Sequence, residues 1–354
     1  MRLIYKLRCC LMATIPVVAL AACSSGSGAP SGPAPEVPSI TLDLVPTADA
    51  AGIYIAQDNG YFAQQGLKVN LVPINGGEYG MGDLQTGKAQ LVEGNYVSFI
   101  LAQVAGKFAA PNPKNPSQTE PSKPIDMRMI ANTSQMQAGN QALYVMPSSG
   151  YKTVNDLVNK HVTVGVNTLH NIGTVLLGSL LASDDKQVTD LKQSPQILPL
   201  MPQLLAQGKV KAAWLPEPFG TEAQQEYGAV QLADFDQGSL QDFPIGTIVG
   251  DNSWIQNHPK TVAAFLRAFK EGQQEADSNR AEVENALVQN QAVTKAGDIS
   301  ASEIAATMTL DTYPLAMDVP VMQRVPDAMY EFGVITKPYD ITKMIQPQSD
   351  EITK

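Results

Sequence analysis

From Ile40 onwards, short apolar segments alternate with segments of helical pattern, and this alternation limits the fold more than any other feature of the sequence. Strands separated by helices pair in parallel, because each helix carries the chain back to the same end of the sheet. The alternation therefore predicts an α/β fold. The first series has strands ITLDLV (40–45), LKVNLVPI (67–74) and AQLVE (89–93), with helices over 51–57 and 82–86.

A second series of the same kind follows, and it predicts a second lobe. The chain has 354 residues, more than the roughly 250–300 at which a single hydrophobic core usually stops growing. The strands IDMRMIA (125–131) and QALYVM (141–146) lead into this series. It contains HVTVGV (161–166), a short strand near 197–200, KAAWL (211–215) and GAVQLA (228–233), with helices over 173–182 and 201–207.

The C-terminal part is predicted to be mostly helical. After GTIVG (246–250), apolar residues recur with the i, i+3, i+4, i+7 spacing of a helix packed on a core. These residues are Val262, Phe265, Leu266 and Phe269, and further helices are predicted around 300–310 and 318–332.

The segment 109–124 is rich in proline. Proline has no N–H to donate to a strand ladder. We therefore expect a surface insertion without ladder hydrogen bonds.

The N-terminus has the layout of a bacterial lipoprotein signal. Basic residues precede a short apolar run that ends in LAAC (20–23), the pattern of a secretory signal that resembles a lipobox. We therefore predict a signal peptide over 1–22, a diacylglycerol on Cys23 and a flexible linker through residue 38. This places the protein outside the cytoplasm, anchored to the membrane by its lipid; an ordinary secretory signal is the alternative.

Charge and composition argue against several classes of function. The net charge of −10 disfavours nucleic acid as a partner. Beyond the predicted cleavage point Cys23 is the one cysteine, and the scattered His161, His170 and His258 predict no metal cluster. The sequence has no Walker-type phosphate loop. We expect no cofactor.

An ordered set of segments resembles the solute-binding proteins of ABC importers, in the branch that binds nitrate, sulfonates, taurine and thiamine precursors. The resemblance covers most of residues 40–335. Its segments are PTADAAGIYIAQDNGYFAQQGLKVNLVPINGG, LQTGKAQLVEG, SSGYKTVNDLVNKHVTVGVNT, LLAQGKVKAAWLPEPF and HPKTVAAFLRAF.

The resemblance implies a type 2 periplasmic-binding-protein fold. In that α/β fold, two lobes with mixed, mostly parallel sheets flanked by helices are joined by two crossover strands. Carried over, lobe one is 39–145 plus 246–354 and lobe two is 146–245, with QALYVM and GTIVG as hinge strands.

The resemblance also implies a function. A lipid-anchored, monomeric receptor would capture a small solute between its lobes and deliver it to a membrane permease driven by a cytoplasmic ATPase. The implied solutes are a sulfonate, taurine, nitrate or a pyrimidine-like thiamine precursor. The alternatives are an enzyme of the pyrimidine-synthase type, which uses the same fold, and a solute-sensing co-receptor.

Candidate solute contacts lie in the loops that follow the strands, because ligands of open α/β sheets bind at the carboxyl ends of the strands. Asp49 is alternatively a helix cap, Glu78 a solvated carboxylate, Trp214 a core residue and Glu217 a charge at a helix N-terminus. The candidates are Thr47, Asp49, Gly77, Glu78, Tyr79, Asn95 and Tyr96 in lobe one, and Asn167, Thr168, His170, Trp214 and Glu217 in lobe two.

The residue types on these loops indicate the chemistry of the solute. Arginine is the usual clamp for carboxylate or phosphate, and no arginine lies on a predicted strand-end loop. Aromatic residues and carboxylates are present instead. This combination favours a flat heterocycle or an amine over an oxyanion.

Overall fold

The computed structural model describes residues 32–105, 109–112, 115–121 and 125–347. The predicted signal peptide, Cys23 and the linker up to residue 31 lie outside the described residues. The strands are β1 (Ser39–Leu44), β2 (Lys68–Pro73), β3 (Leu91–Asn95), β4 (Ala109–Asn112), β5 (Asn115–Pro121), β6 (Met127–Gln135), β7 (Gln141–Val145), β8 (Thr163–Val166), β9 (Lys192–Pro195), β10 (Ala212–Pro216), β11 (Val230–Asp234) and β12 (Pro244–Asp251).

The helices of the described part lie between and around these strands. They are α1 (Ala51–Asp58), α2 (Tyr61–Gln64), α3 (Met81–Thr86), α4 (Tyr96–Ala105), α5 (Val154–Asn159), α6 (Ile172–Ala182), α7 (Met201–Ala206), α8 (Phe219–Tyr227), α9 (Asn252–Asn257), α10 (Pro259–Ser278), α11 (Arg280–Gln289), α12 (Ala301–Thr307) and α13 (Val319–Glu331). In the described part, no helix has the length and apolar character needed to cross a membrane.

The first lobe is built on a five-stranded sheet in the order β2-β1-β3-β12-β6. β1 pairs in parallel with β2 and β3, and β12 runs antiparallel to β3 and β6. Leu42 at the centre of β1 is fully buried and lies opposite Leu71 and Leu91. The carboxyl ends of β1, β2 and β3 therefore meet at one edge of the sheet.

The second lobe has the same plan. Its sheet has the order β11-β7-β10-β8-β9, with β8 parallel to β9 and β10, and β7 antiparallel to β10 and β11. Each large sheet thus holds two parallel and two antiparallel ladders, so the sheets are mixed rather than mostly parallel. The predicted two-lobed α/β fold is confirmed.

The chain crosses between the sheets twice, over residues 136–140 and 235–243. The first crossing precedes QALYVM, so the predicted boundary at residue 145 is wrong: β7 pairs with β10 and β11 and belongs to the second sheet. The second crossing ends where β12 enters the first sheet, two residues before the predicted boundary at 246.

The proline-rich segment contradicts the prediction that it makes no strand ladder. β4 and β5 form a two-stranded antiparallel sheet that pairs Ala109 with Pro121 and Pro111 with Thr119. Both strands of such a sheet are edge strands, so a proline is accommodated where its nitrogen points away from the partner.

The long helix α10 confirms the predicted apolar stripe. Val262, Phe265, Leu266 and Phe269 are all buried. The Phe265 ring stacks on Phe62 at a centroid distance of 5.2 Å, which packs α10 against α2. α4 and α11 were not predicted. The strand predicted near 197–200 is wrong: β9 ends at Pro195, and a 3-10 turn covers Leu198–Leu200.

Candidate functional site

A small cavity lies between the two lobes, at the carboxyl ends of the parallel strands, where α/β sheets bind their ligands. We call it the central cavity. It measures about 30 Å³, room for one or two water molecules or one small polar group. Its first-lobe wall contains Thr47, Asp49, Gly76, Glu93, Asn95 and Gly246. Its second-lobe wall contains Gln141, Asn167, Ile172, Leu198, Trp214 and Pro216.

Two buried carboxylates give the first-lobe wall its chemistry. Asp49 accepts hydrogen bonds from Ser134 and from the Thr47 hydroxyl, the latter at 2.6 Å. Glu93 accepts hydrogen bonds from the backbone N–H of Val45 at 3.0 Å and from the Thr133 hydroxyl at 3.4 Å. The two side chains are thus held in place by neutral donors rather than by a cation.

Burial shifts the protonation of these acids. It raises the pKa of Glu93 to about 8, and the neighbouring charge of Asp49 adds to the shift. Burial also raises the pKa of Asp49, against the lowering effect of its two hydroxyl partners. The pKa of Asp311 is raised well above its ordinary value by burial, then by the charges of Asp49 and Glu217. Four carboxyl groups therefore share one electrostatic environment.

The second-lobe wall is neutral. Trp214 is 3% exposed and its Nε1 donates to Gln141 Oε1 at 2.9 Å. Gly173, in the first turn of α6, lies so close that a Cβ there would sit 3.2 Å from the Trp214 ring. Trp214 is therefore both a core residue and a cavity wall, which combines the two alternatives that the sequence left open. Asn167 is buried on the same wall, and its Oδ1 has no hydrogen-bond partner within the described part of the chain.

A set of hydrogen bonds joins the lobes next to the central cavity. We call it the inter-lobe latch: Glu78 and Ser98 of lobe one with Thr168 and Asn171 of lobe two. Glu78 accepts from Ser98 Oγ at 2.9 Å, from Asn171 Nδ2 at 3.2 Å and from the Thr168 hydroxyl. Asn171 Nδ2 also donates to Ser98 Oγ at 2.9 Å. The latch holds the lobes in a closed arrangement.

Five of the predicted contact residues line the central cavity, and two lie in the latch. Solute contact itself stays a prediction for all of them. The cavity residues are Thr47, Asp49, Asn95, Asn167 and Trp214, and the latch residues are Glu78 and Thr168. Asp49 caps no helix, and Glu78 is 1% exposed rather than a solvated loop carboxylate.

The other five predicted residues do not line the central cavity. Gly77 packs in a 3-10 turn against the Gly94 backbone, and Tyr79 is half-buried beside it. Tyr96 is a core residue that bonds Asn132.

Glu217 accepts hydrogen bonds from Thr221 N at 3.1 Å and from Thr221 Oγ1 at 2.9 Å. Glu217 therefore stabilises the first turn of α8. This is the alternative role, a charge at a helix N-terminus, that the sequence analysis gave for it.

His170 lies outside the cleft. It is exposed, has a left-handed backbone (φ 55°), and lines a separate cavity of about 680 Å³ between α6 and the end of α13.

The sequence prediction missed several residues of the site. Glu93 is not among the predicted contacts, because it lies inside a strand rather than in the loop after it. Gln141 and Gly246 lie at the starts of antiparallel strands, whose amino ends meet the carboxyl ends of the parallel ones. Only the antiparallel pairing of these strands brings the two residues to the cavity. That pairing is a tertiary feature, so the local sequence pattern does not reveal it. Among the described residues, no group of three His, Cys, Asp or Glu side chains is placed to hold a metal ion.

Several solved structures with a similar fold are solute-binding proteins. The alkanesulfonate-binding protein SsuA from Xanthomonas axonopodis pv. citri, bound to MOPS, is 15% identical with a TM-score of 0.68, covering 88% of this chain and 99% of that one. SsuA from Escherichia coli, which binds aliphatic sulphonates, is 18% identical with a TM-score of 0.64, covering 88% and 92%. At these identities the likeness concerns the fold.

The periplasmic nitrate-binding protein NrtA from Synechocystis PCC 6803 is 18% identical with a TM-score of 0.61, and the match covers 73% of this chain and 68% of that one. No curated protein sequence matches the chain significantly. The model of the NMT1-like family, by contrast, matches residues 33–290, most of the chain. The family resemblance predicted from the sequence segments is thereby confirmed: the chain belongs to the NMT1-like family.

Proposed function

We propose that the protein is an extracytoplasmic receptor of an ABC importer, which binds a small solute in the central cavity and delivers it to a membrane permease. The observation that carries this proposal is the position of the cavity, between two lobes and at the carboxyl ends of both sets of parallel strands. Solute-binding proteins of similar fold support it.

The latch explains how binding becomes a signal. A solute between the walls contacts both lobes at once, so its binding energy favours the closed arrangement over the open one. Glu78 bridges the lobes in that closed arrangement through Thr168 and Asn171. A permease that recognises the closed surface therefore responds to the loaded receptor.

The N-terminal segment supplies the location. A lipid on Cys23 holds the receptor at the outer face of the cell membrane, and the linker ahead of Glu36 forms a tether that lets it reach the permease. The tether is shorter than the linker predicted to residue 38, because Glu36 accepts hydrogen bonds from Lys260 N and Thr261 N at the start of α10. The receptor acts as a monomer. Its partners are the permease, the cytoplasmic ATPase and the solute.

Mass spectrometry of the purified receptor tests the proposal. Denaturation in a volatile buffer releases any co-purified solute, which is then identified by mass and added back to solute-free protein. Solute at about 100 times its dissociation constant is expected to stabilise the fold by roughly 2.7 kcal/mol.

A panel of alkanesulfonates, taurine, nitrate, pyrimidines and amines extends the test to solutes lost during purification. Absence of any released solute, together with no thermal shift across the panel, contradicts the receptor function. An absorption band of pyridoxal type in the purified protein would instead favour the pyrimidine-synthase alternative.

A further inference from the structure

We propose that the solute carries a protonated nitrogen, which enters the central cavity against Asp49 and Glu93, and an apolar body, which enters an adjoining apolar cavity. This inference rests on the receptor function and specifies its substrate class. It differs from the sulfonate and nitrate that the proteins of similar fold bind.

The charge of the site points to a cation. Asp49 and Glu93 are 8% and 1% exposed and both line the central cavity. Asp311 is also buried, and the charges of Asp49, Glu217 and Glu93 all raise its pKa. No Lys, Arg or His lines the cavity in the described part of the chain, and no ion pair described there involves these four acids. A buried carboxylate is costly unless a cation or strong donors compensate for its lost hydration.

Asn167 supplies a second observation on the opposite wall. It is 3% exposed, lines the central cavity, and its Oδ1 has no hydrogen-bond partner among the residues that the structure describes. A buried acceptor without a donor costs about 1–3 kcal/mol, so such an atom indicates a donor brought by the ligand. Both walls of the cavity thus present acceptors, and an ammonium or amidinium group presents only donors.

Three helix N-termini at the cleft, those of α4, α6 and α8, are already occupied by side chains, which disfavours an oxyanion at these three positions. Oxyanions commonly bind at the free N–H groups of a helix start. Here Asn95 Oδ1 accepts from Ser98 N at 3.0 Å at the start of α4, and Asn171 Oδ1 accepts from Ile172 N at 2.6 Å at the start of α6. Glu217 does the same for Thr221 N in α8. Side chains of the protein therefore take the place that an anion would occupy.

The adjoining cavity defines the rest of the solute. It measures about 210 Å³ and shares Val45 and Leu198 with the central cavity. Its other lining residues are mostly apolar: Pro46, Pro73, Ile74, Ile197, Pro199 and Phe219, with Asn75. We call it the apolar annex. The central cavity has room for the nitrogen group, and the annex has room for a hydrocarbon chain or a ring.

Proton linkage gives the proposal a signature that distinguishes a cation from an anion. Glu93 is faced by Asp49 from the turn after β1, by Tyr54 of α1, by Thr133 of β6 and by Asp311, and none of these is a cation. With a pKa of about 8, Glu93 is mostly protonated at pH 7. A bound ammonium group favours its carboxylate, so binding releases a proton and affinity rises about tenfold from pH 6 to pH 7. An anion would favour the protonated form of Glu93, which already predominates at both pH values, so its affinity would stay nearly constant from pH 6 to pH 7.

The test compares three solutes of equal chain length on the solute-free receptor: hexylamine, 1-hexanol and hexanesulfonate. Isothermal titration calorimetry at pH 6 and pH 7 should show binding of hexylamine, with proton release and higher affinity at pH 7. Longer alkylamines should gain about fourfold in affinity per methylene until the annex is full. Asp49→Asn should lose hexylamine binding, whereas Asp277→Asn, an exposed carboxylate on α10, should keep it.

Three results would overturn the inference and leave the receptor function standing: binding of hexanesulfonate in preference to hexylamine, hexylamine affinity that does not rise from pH 6 to pH 7, or a co-purified solute without a basic nitrogen. Failure of every probe, combined with no co-purified solute, would remove the receptor function and the inference together. Equal binding of hexylamine by the Asp49→Asn variant would also contradict the assignment of the carboxylates.

Discussion

The two walls of the central cavity differ in the ionisable groups that they bury. The first-lobe wall holds Asp49 and Glu93, buried acids that only neutral donors contact within the protein. The second-lobe wall is neutral, and its largest side chain, Trp214, is packed and has its N–H bonded to Gln141. One wall is under electrostatic strain in the solute-free protein, whereas the other is neutral and packed, with Asn167 Oδ1 as its one described acceptor without a partner.

This difference indicates a division of roles. The strained wall gains most from a ligand, so we assign solute recognition to lobe one. The packed wall contributes shape and, through Thr168 and Asn171, the hydrogen bonds that close the cleft. Substitutions on the two walls should therefore change stability in opposite directions, because removal of a buried acid relieves strain and removal of a packed ring leaves a hole.

Trp214→Ala should have the largest effect. Loss of a buried aromatic ring typically costs about 3–5 kcal/mol of stability, and the variant also loses one side of the solute site. Chemical denaturation measures the stability, and thermal shift with solute measures the binding. The matched control is Trp254→Ala, because Trp254 stacks on His258 at 4.7 Å, away from the cleft. An unchanged free energy of unfolding in Trp214→Ala would show that the ring is not part of the core.

Glu93→Gln should change stability in the other direction. We expect the solute-free protein to gain about 1–2 kcal/mol of unfolding free energy, while affinity for a cationic solute falls about 100-fold. Glu222→Gln is the control, because Glu222 is another partly buried acid with a pKa of about 7, but it lies on α8 outside the cavity. A loss of stability in Glu93→Gln would contradict the strain assigned to the first-lobe wall.

The stability of the solute-free protein should depend on pH because of the same acids. Burial raises the pKa of Glu93 to about 8 and that of Glu217 to about 7, above their ordinary value of about 4.5. Their contribution is fully present below the ordinary pKa and is lost as pH rises through the folded-state pKa. The unfolding free energy should therefore fall by several kcal/mol, at most about 6, between pH 5 and pH 8. Glu93→Gln should flatten this profile; an unchanged slope would contradict the assignment.

Thr168→Val should weaken the latch with a smaller effect. The variant keeps the shape of the side chain and removes the hydroxyl that donates to Glu78. Loss of one such bond to a carboxylate corresponds to about 1.5 kcal/mol, or roughly tenfold in affinity. We expect most of this loss in faster solute dissociation, measured by stopped-flow fluorescence. Thr86→Val on the exposed end of α3 is the control. An equal effect in both variants would show that the latch does not contribute to closure of the cleft.

His170→Asn should change solute affinity by less than about twofold, the smallest effect. His170 is exposed and lines the outer cavity rather than the central one. Asparagine tolerates the left-handed backbone at this position, so the fold should be kept. A tenfold loss of affinity in calorimetry would restore the solute contact that the sequence predicted for this residue.

Much of the fold was predictable because it depends on local patterns. The β1–α1–β2 alternation and the stripe of α10 follow from residue spacing within one element. The assignment of QALYVM to lobe one failed because sheet membership depends on pairing with β10 and β11, which are distant in sequence. The hairpin of 109–121 failed for a related reason, since proline forbids a hydrogen bond at one position and not a whole ladder.

The candidate site was predictable in part. The rule that ligands bind at the carboxyl ends of strands identified Asp49, Asn167 and Trp214. It succeeded because the carboxyl ends of parallel strands converge whatever the sequence between them. The same rule also predicted His170 as a solute contact, although a loop of five residues turns its side chain to the outside. It could not separate cavity residues from latch residues. Glu78 and Thr168 meet only because the lobes close on each other.

The sequence by itself determined the two-lobed α/β plan, the family and the loops that approach the cleft, because these follow from local periodicity and from an ordered set of segments. The tertiary structure alone decided which carboxylates share one buried environment, since Asp49, Glu93, Glu217 and Asp311 come from four separate parts of the chain. It also decided that Trp214 is both core and cavity wall. Protonation and charge depend on burial and neighbours, and those are set only when distant segments pack together.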